Sequence, residues 1–191
     1  MNLAFKFNDD LFWIHNFLPR DVYTEMYRSL IRLRNNDSFK ESAYNWNTFK
    51  EEEENRSYSV NQDRINNMPY FTQYHILLKH NPFVDLKHKV LNSHLRKFVY
   101  GSHLAWHEDT EETDVSNNTR AYAATFYFNK TWGESWGGEL MFKSNKGSGF
   151  IPVIGNSVVI VKTGLKHKVN AVLKKTHPRL SIQTWIDKDE T

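Results

Sequence analysis

The chain of 191 residues contains 25 Lys and Arg, 22 Asp and Glu, 39% apolar residues and 15% aromatic residues. This apolar content excludes a disordered chain, and a formal net charge of +3 is too small to indicate nucleic-acid binding by itself. The absence of cysteine excludes disulfide scaffolds, zinc fingers, iron–sulfur clusters and cysteine nucleophiles. A transition metal would therefore need imidazole and carboxylate ligands, and nine histidines are present.

The N-terminal residues show no basic segment followed by an apolar stretch, so no signal peptide is predicted. The longest strongly apolar run, residues 158–161, is far shorter than the roughly 20 residues that a membrane-spanning helix needs. The sequence therefore predicts a soluble, cytoplasmic protein without a membrane partner.

The N-terminal half combines a strand with helices. Residues 12–18 are typical of a strand, and Leu18-Pro19-Arg20-Asp21 marks the start of a helix, with proline near its first turn. Further helices are predicted over residues 69–80 and from Asn81-Pro82 to about His94. The first helix has an apolar face with helical spacing, formed by Val22, Met26, Leu30 and Leu33.

The C-terminal half has the pattern of a β domain. Short apolar runs separated by Gly, Asn, Ser and Pro occupy residues 97–107, 120–128, 138–143, 150–153, 157–162, 166–172 and 179–186. We therefore predict a mainly β member of the α+β class. In this fold a double-stranded β-helix (a cupin-like jelly roll) over 97–186 is supported by helices and a strand within 1–96, in one domain covering 1–191.

Charge is distributed unevenly along the β half. Residues 105–139 hold seven acidic and two basic residues, whereas residues 140–191 hold nine basic and three acidic residues. Two interpretations are open: two solvated faces of one sheet, or a cationic pair of strands that faces an anionic ligand.

A candidate metal site begins at Trp106-His107-Glu108-Asp109. Side chains alternate along a strand, so His107 and Asp109 point the same way with Cα atoms about 6.5–7 Å apart. A later histidine, His167, precedes an apolar strand pattern. Two histidines and one carboxylate form the facial triad of non-heme Fe(II) oxygenases, and the same residues could also hold the zinc of a hydrolase.

A candidate anion site follows in the last strand, where Arg179, Ser181, Gln183 and Trp185 share one face by alternation. Arginine can bind a carboxylate through two hydrogen bonds, and a neighbouring hydroxyl can add a third. Each motif is weak alone, but the order H-x-D, then His, then R-x-S is specific.

With these motifs in place, residues 97–186 resemble the Fe(II)/2-oxoglutarate-dependent dioxygenases, on the prolyl 4-hydroxylase-like branch. The resemblance extends to Gly101 six residues before His107, to the core strand 124–129, to Trp136-Gly137-Gly138-Glu139-Leu140, to Pro152, and to residues 156–160 before the distal histidine.

The resemblance implies a role for six residues. His107, Asp109 and His167 would be the iron ligands, Arg179 would pair with the C5 carboxylate of 2-oxoglutarate, and Tyr127 and Ser181 would support that carboxylate. It also implies Fe(II), 2-oxoglutarate and O2 as cofactor and cosubstrates, with ascorbate as a further candidate.

The resemblance further implies hydroxylation of a C–H bond, with prolyl or another side chain of a protein or peptide as substrate and with succinate and CO2 as coproducts. A nucleic-acid demethylase is disfavoured because that branch has a second arginine where this chain has Trp185. Three further functions stay open: a small-molecule oxygenase, a zinc hydrolase, which leaves Arg179 and Tyr127 unexplained, and a non-catalytic jelly-roll binding module.

The sequence departs from the family pattern at one site position. A tyrosine common nine residues before the H-x-D histidine is Phe98 here, and Tyr100 follows two residues later. Two loops, residues 110–119 and 130–137, are predicted to flank the mouth of the site and contact substrate. Trp132 and Trp136 in the second loop could instead pack against the end of the jelly roll.

Overall fold

Two β-sheets and two α-helices make up the described part of the computed structural model, which comprises residues 3–7, 9–35, 40–41, 57–60, 70–81, 88–109, 112–113 and 116–188. The helices are α1 (Arg20–Asn35) and α2 (Phe71–Lys79), and a short 3-10 helix covers Glu134–Trp136. Neither α-helix has the length and apolar character needed to cross a bilayer.

The strands in chain order are β1 (Ala4–Phe7), β2 (Leu11–His15), β3 (Lys40–Glu41), β4 (Ser57–Val60), β5 (His88–Phe98), β6 (Leu104–His107), β7 (Glu112–Thr113), β8 (Ser116–Tyr127), β9 (Leu140–Ser144), β10 (Gly147–Ile151), β11 (Ser157–Lys162), β12 (Lys166–Val169) and β13 (Arg179–Lys188). The larger sheet has the order β1-β2-β11-β8-β13-β5-β4-β3, with β7 paired to β8, and the smaller sheet has the order β10-β9-β12-β6. All of these pairings are antiparallel.

Side chains alternate between the two faces of the larger sheet, so its central strands contribute to two hydrophobic cores. On β13, Leu180, Ile182 and Ile186 pack with α1 and α2 on the outer face, whereas Arg179 and Ser181 point to the other side. The inner faces of β2, β8 and β11 pack against β9 and β10, through residues that include Leu11, Tyr127, Leu140, Phe142, Val159 and Val161. The two sheets therefore form a sandwich, and the helices support one side of it.

Most of the predicted elements are confirmed. The helix predicted from Pro19 is α1, whose described apolar residues Val22, Met26 and Leu30 are buried, and the helix predicted over 69–80 is α2. The jelly-roll prediction for the C-terminal half is also confirmed. The side chain of Leu33 lies outside the described residues.

The helix predicted from Asn81-Pro82 to His94 is wrong where the structure describes it, because β5 already begins at His88. β5 pairs with β13 over nearly its whole length and with β4 over its second half. These long-range ladders outweigh the local capping pattern. The run predicted as one strand over 97–107 is also interrupted: β5 ends at Phe98, β6 begins at Leu104, and Gly101 between them has φ +83°.

Asn156 joins the start of α1 to the turn before β11. Its side-chain oxygen accepts a hydrogen bond from the Leu18 backbone N–H, and its amide donates to the Leu18 carbonyl, both at 2.9 Å. Asn156 also has φ +58°, in the left-handed region where asparagine is tolerated better than most residues.

We expect Asn156→Ala to lower the free energy of unfolding by about 2–4 kcal/mol, because it removes two buried hydrogen bonds and strains a positive φ. Asn156→Gly relieves the strain and should recover part of the loss. Urea unfolding measures both, and equal stability of Asn156→Ala and the wild type would contradict this account.

A buried polar chain connects α2 to the outer face of the larger sheet. His75 Nε2 lies 3.0 Å from Ser93 Oγ, Ser93 Oγ lies 2.8 Å from Thr184 Oγ1, and Tyr74 Oη lies 3.0 Å from Thr184 Oγ1. Burial, with a smaller contribution from the charge of Lys79, lowers the pKa of His75 to about 4. His75 is therefore neutral in the folded protein at neutral pH.

In the unfolded chain, His75 binds a proton below about pH 6.5, whereas in the folded protein it does so only near pH 4. The free energy of unfolding should therefore fall as the pH is lowered between these values. His75→Gln should make this decline shallower in denaturant titrations across that range. The exposed His80 provides the matched variant His80→Gln, which should leave the slope as it is in the wild type.

Candidate metal centre and anion pocket

Antiparallel pairing of β6 and β12 places His107 directly opposite His167. Their rings lie 4.2 Å apart between centroids, and Asp109 follows two residues after His107. One ligand atom from each of His107, Asp109 and His167 lies within 4.8 Å of the others. The structure thus brings together the three residues that the sequence predicted as metal ligands.

Both histidines are held with one particular ring nitrogen available. His107 Nδ1 lies 2.9 Å from the Ala105 carbonyl, and His167 Nδ1 lies 2.8 Å from the Leu165 carbonyl. A carbonyl only accepts, so each Nδ1 carries the proton and each Nε2 presents its lone pair. Backbone partners of this kind orient histidine ligands in metal sites.

The environment of His167 keeps its imidazole neutral. Burial disfavours the imidazolium and lowers the pKa of His167, and the nearby His107 lowers it further, against the opposing charge of Asp109. A neutral imidazole is the form that coordinates a metal cation.

Asp109 is buried, and its two carboxylate oxygens face different neighbours. Oδ2 lies 4.0 Å from His167 Nε2, whereas Oδ1 lies 3.5 Å from the Arg120 guanidinium. Arg120 in turn lies over the Trp185 ring, 5.0 Å from its centroid. Arg120 is not among the residues predicted from the sequence, although it is one of only two bases in the acidic stretch 105–139.

Arg179 is a buried cation, 2% exposed, on the inner face of the larger sheet. Its Nη1 donates to Ser181 Oγ and its Nη2 to Tyr127 Oη, each at 3.3 Å, while Nε has no hydrogen-bond partner. No carboxylate of the described residues forms an ion pair with it. A buried guanidinium surrounded by neutral groups is a site for an anion, because an uncompensated charge is costly to bury.

Aromatic rings and a glycine form the walls around Arg179. The guanidinium lies 5.0 Å from the Phe98 ring centroid and 4.9 Å from that of Tyr127. Gly138 has φ +76°, and a Cβ there would lie 3.1 Å from Arg179 Cδ. Phe98, 4% exposed, therefore lines this pocket, whereas Tyr100 is 53% exposed and lies beside Lys175.

The loop 130–137 closes the end of the sandwich at which β6 and β13 begin. Trp132 is half-buried between the inner core and a smaller cluster of Phe98, Val169 and Val172. Its Nε1 donates to the Gly137 carbonyl at 2.8 Å. After β12, the Leu173 backbone N–H donates to the Trp136 carbonyl of this loop, and the N–H of the following Gly138 donates to the Ala171 carbonyl. These contacts favour the packing role for Trp132. The side chains of residues 110–119 lie outside the described part of the chain, as do residues 110, 111, 114 and 115 altogether.

The residues present fit the groups that the sequence resemblance implies. Two imidazoles with free Nε2 atoms and one carboxylate are a donor set that Fe(II) accepts, with coordination positions left open. The unneutralised Arg179, flanked by two hydroxyl groups, fits one carboxylate of a dicarboxylic acid such as 2-oxoglutarate.

Comparison with known proteins agrees with this geometry. A family model described as the 2OG-Fe(II) oxygenase superfamily matches residues 93–187, whereas no curated protein sequence matches the chain. A Pseudomonas putida prolyl-4-hydroxylase superposes with TM-score 0.68 at 16% identity, covering 94% of this chain and 93% of its own.

Two other solved structures share the fold. A prolyl hydroxylase from Trichoplax adhaerens, in complex with a peptide fragment of hypoxia inducible factor, gives TM-score 0.72 at 16% identity over 95% of this chain and 84% of its own. The non-heme alpha ketoglutarate dependent epimerase SnoN from nogalamycin biosynthesis gives TM-score 0.65 at 11% identity over 94% and 78%.

The fold and the family match together define a non-heme iron oxygenase with a jelly-roll core. The chain belongs to the 2OG-Fe(II) oxygenase superfamily and is a 2-oxoglutarate-dependent dioxygenase, with a fold like that of the prolyl 4-hydroxylases. Its cofactor and cosubstrates are Fe(II), 2-oxoglutarate and O2.

We expect the buried charge of Arg179 to lower the stability of the ligand-free protein and to favour the binding of 2-oxoglutarate. Arg179→Met replaces a buried, uncompensated cation with an apolar side chain, so the ligand-free variant should be at least as stable as the wild type. The variant should lose the rise in thermal midpoint that 2-oxoglutarate with Mn(II) gives the wild type. Differential scanning fluorimetry measures both quantities.

Arg179→Lys serves as the comparison because it keeps the charge and removes the planar fork, and it should show an intermediate rise. An undiminished rise in Arg179→Met would contradict the assignment of this pocket to the cosubstrate.

Proposed function

We propose that this dioxygenase hydroxylates a C–H bond of a prolyl or other side chain in a protein or peptide. The observation that carries the proposal is the combination of the His107, Asp109 and His167 cluster with the buried, unneutralised Arg179. In this proposal the cluster holds Fe(II), and Arg179 with Tyr127 and Ser181 holds the C5 carboxylate of 2-oxoglutarate.

When bound, Fe(II) with 2-oxoglutarate and O2 supplies the oxidising chemistry that hydroxylates a C–H bond and releases succinate and CO2. His107 and His167 donate Nδ1–H to backbone carbonyls and thereby aim Nε2 at the metal. Asp109 contributes one oxygen, while Arg120 engages the other. A metal held by these three ligands would keep coordination positions open for the cosubstrates.

The pocket residues orient the cosubstrate and exclude water. Arg179 supplies a fixed fork of donors, and the hydroxyls of Tyr127 and Ser181 are already hydrogen-bonded to it. The buried Phe98 ring and the half-buried Trp132 line the same region. A carboxylate bound there is desolvated, which strengthens its attraction to the guanidinium.

A peptide substrate is supported by the Trichoplax adhaerens prolyl hydroxylase, whose fold matches 95% of this chain and which was solved with a peptide fragment. The position of Trp185 adds to this support, because it occupies the place where the nucleic-acid demethylase branch has its second arginine.

A small-molecule substrate is the second candidate, since an epimerase of a biosynthetic pathway shares the fold. A fold alone does not select between the two. A zinc hydrolase is disfavoured because it gives no role to the buried Arg179 with its two hydroxyl partners.

The test is turnover of purified protein with Fe(II) and 2-oxoglutarate in air, with succinate measured by NMR and proline-containing peptides screened for gain of one oxygen atom by mass spectrometry. We expect succinate release that is faster with a peptide substrate. His107→Ala should abolish both turnover and Mn(II) binding, since one of three ligands is lost.

His103→Ala is the matched control, because His103 is also half-buried and bonded to a backbone carbonyl but lies outside the cluster. This variant should retain Mn(II) binding and turnover. Succinate release without oxygen insertion into any peptide, combined with oxygenation of a small molecule, would favour the second candidate. Absence of 2-oxoglutarate binding by calorimetry in the presence of Mn(II) would overturn the proposal.

A further inference from the structure

The outward face of the smaller sheet carries a cluster of lysines around one tryptophan. His107 on β6 and His167 on β12 point into the sandwich, so their neighbours Trp106, Lys166 and Lys168 point outward. Lys143 on β9 joins them. Its ammonium lies 4.4 Å from the Trp106 ring centroid, and that of Lys168 lies 5.4 Å from the same ring. We call Trp106, Lys143, Lys166 and Lys168 the basic face.

The charges of the basic face are not neutralised. No carboxylate of the described residues lies within ion-pair distance of Lys143, Lys166 or Lys168. Lys143 and Lys166 are exposed, and Lys168 is half-buried. The Trp106 ring offsets part of the repulsion through its π-face, but it carries no net charge.

The register of the strands makes this arrangement unfavourable in the absence of a ligand. Lys166 lies directly opposite Lys143 in the β12–β9 ladder. Like charges directly opposite on one face of an antiparallel pair are destabilising. A bound anion would relieve the repulsion.

The basic face adjoins the end of the sheet that carries the metal cluster. Three lysines, Lys143, Lys162 and Lys166, and two acidic residues, Asp10 and Glu108, line a surface depression of about 490 Å³. Glu108 lies between His107 and Asp109 in the chain, and Lys166 precedes His167. The basic face and the metal cluster are therefore formed by neighbouring residues whose side chains point to opposite faces of the smaller sheet.

We propose that the basic face binds an acidic stretch of polypeptide that is part of the substrate or carries it. Charge complementarity supports an acidic partner. A polypeptide is favoured over a nucleic acid because it agrees with the proposed peptide substrate. The proposal rests on the proposed peptide-hydroxylating function, and its test measures binding without turnover.

The experiment uses the full chain with Mn(II) and measures fluorescence anisotropy of a labelled oligoglutamate peptide at low and at physiological ionic strength. The wild type should bind this peptide more weakly at the higher ionic strength, and should bind an oligoglutamine of the same length weakly at both. Lys143→Gln/Lys166→Gln should weaken oligoglutamate binding about tenfold, since two charge contacts are lost.

Lys174→Gln/Lys175→Gln is the matched control, because it removes the same net charge and these lysines also lie over aromatic rings, those of Trp136 and Tyr100. This control should change the affinity less than about twofold, because charges distant from the basic face are screened by salt. An equal loss in both double variants would overturn the proposal, and so would tighter binding of oligothymidylate than of oligoglutamate.

A third variant, Lys166→Glu, separates binding from folding. It converts the opposed lysines into an opposite-charge pair with Lys143, so the thermal midpoint should rise by about 1–3 °C while oligoglutamate binding is lost. If the basic face binds no ligand, the thermal midpoint of Lys166→Glu should still rise. No oligoglutamate binding could then be lost, because the wild type would not bind this peptide. Binding by the wild type with failed peptide turnover would instead contradict only the proposed function.

Discussion

The strands at the centre of the larger sheet each face two environments, and both the fold and the site depend on this. On β13, the outward residues Leu180, Ile182 and Ile186 pack with the helices, and Thr184 among them bonds to Tyr74 of α2. The residues facing inward begin with Arg179 and Ser181. Neighbouring β8 does the same, with Phe126 outward and Tyr127 inward. The helices therefore stabilise the outer face, and the inner face is free to carry polar groups that an apolar core alone would exclude.

The smaller sheet divides its two faces in a comparable way. β12 presents His167 to the interior and Lys166 and Lys168 to the exterior, and β6 presents His107 to the interior and Trp106 to the exterior. Since adjacent residues on a strand differ in direction, one short segment supplies a candidate metal ligand and a candidate recognition surface. The backbone geometry of these strands therefore fixes the distance between the candidate metal ligands and the candidate recognition surface.

Unneutralised cations recur at the places where function is proposed. Arg179 lies buried with two hydroxyl partners, and Lys143 lies exposed opposite Lys166. Both arrangements cost stability in the ligand-free protein and favour an anion. An unneutralised cation outside a binding site would lower the stability of the protein without a compensating gain in function.

The chain shares its fold with prolyl hydroxylases and with an epimerase, so the fold alone does not identify the substrate. The family match and the cluster of two histidines and one carboxylate indicate the class of chemistry. A shared fold does not specify the substrate, which depends on the residues of the individual site.

The candidate metal ligands and the candidate anion pocket are predictable from the sequence, because H-x-D spacing, a distal histidine and R-x-S are local patterns whose geometry follows from strand alternation. The same holds for α1, α2 and the β character of the C-terminal half. That residues 88–98 form a strand depends instead on tertiary contacts, since β5 is stabilised by ladders to β13 and β4. The contact of Arg120 with Asp109, the choice of Phe98 over Tyr100 as a pocket wall, and the opposition of Lys143 and Lys166 likewise depend on register between segments distant in the chain. Register is set by the packing of whole strands, which no local pattern specifies.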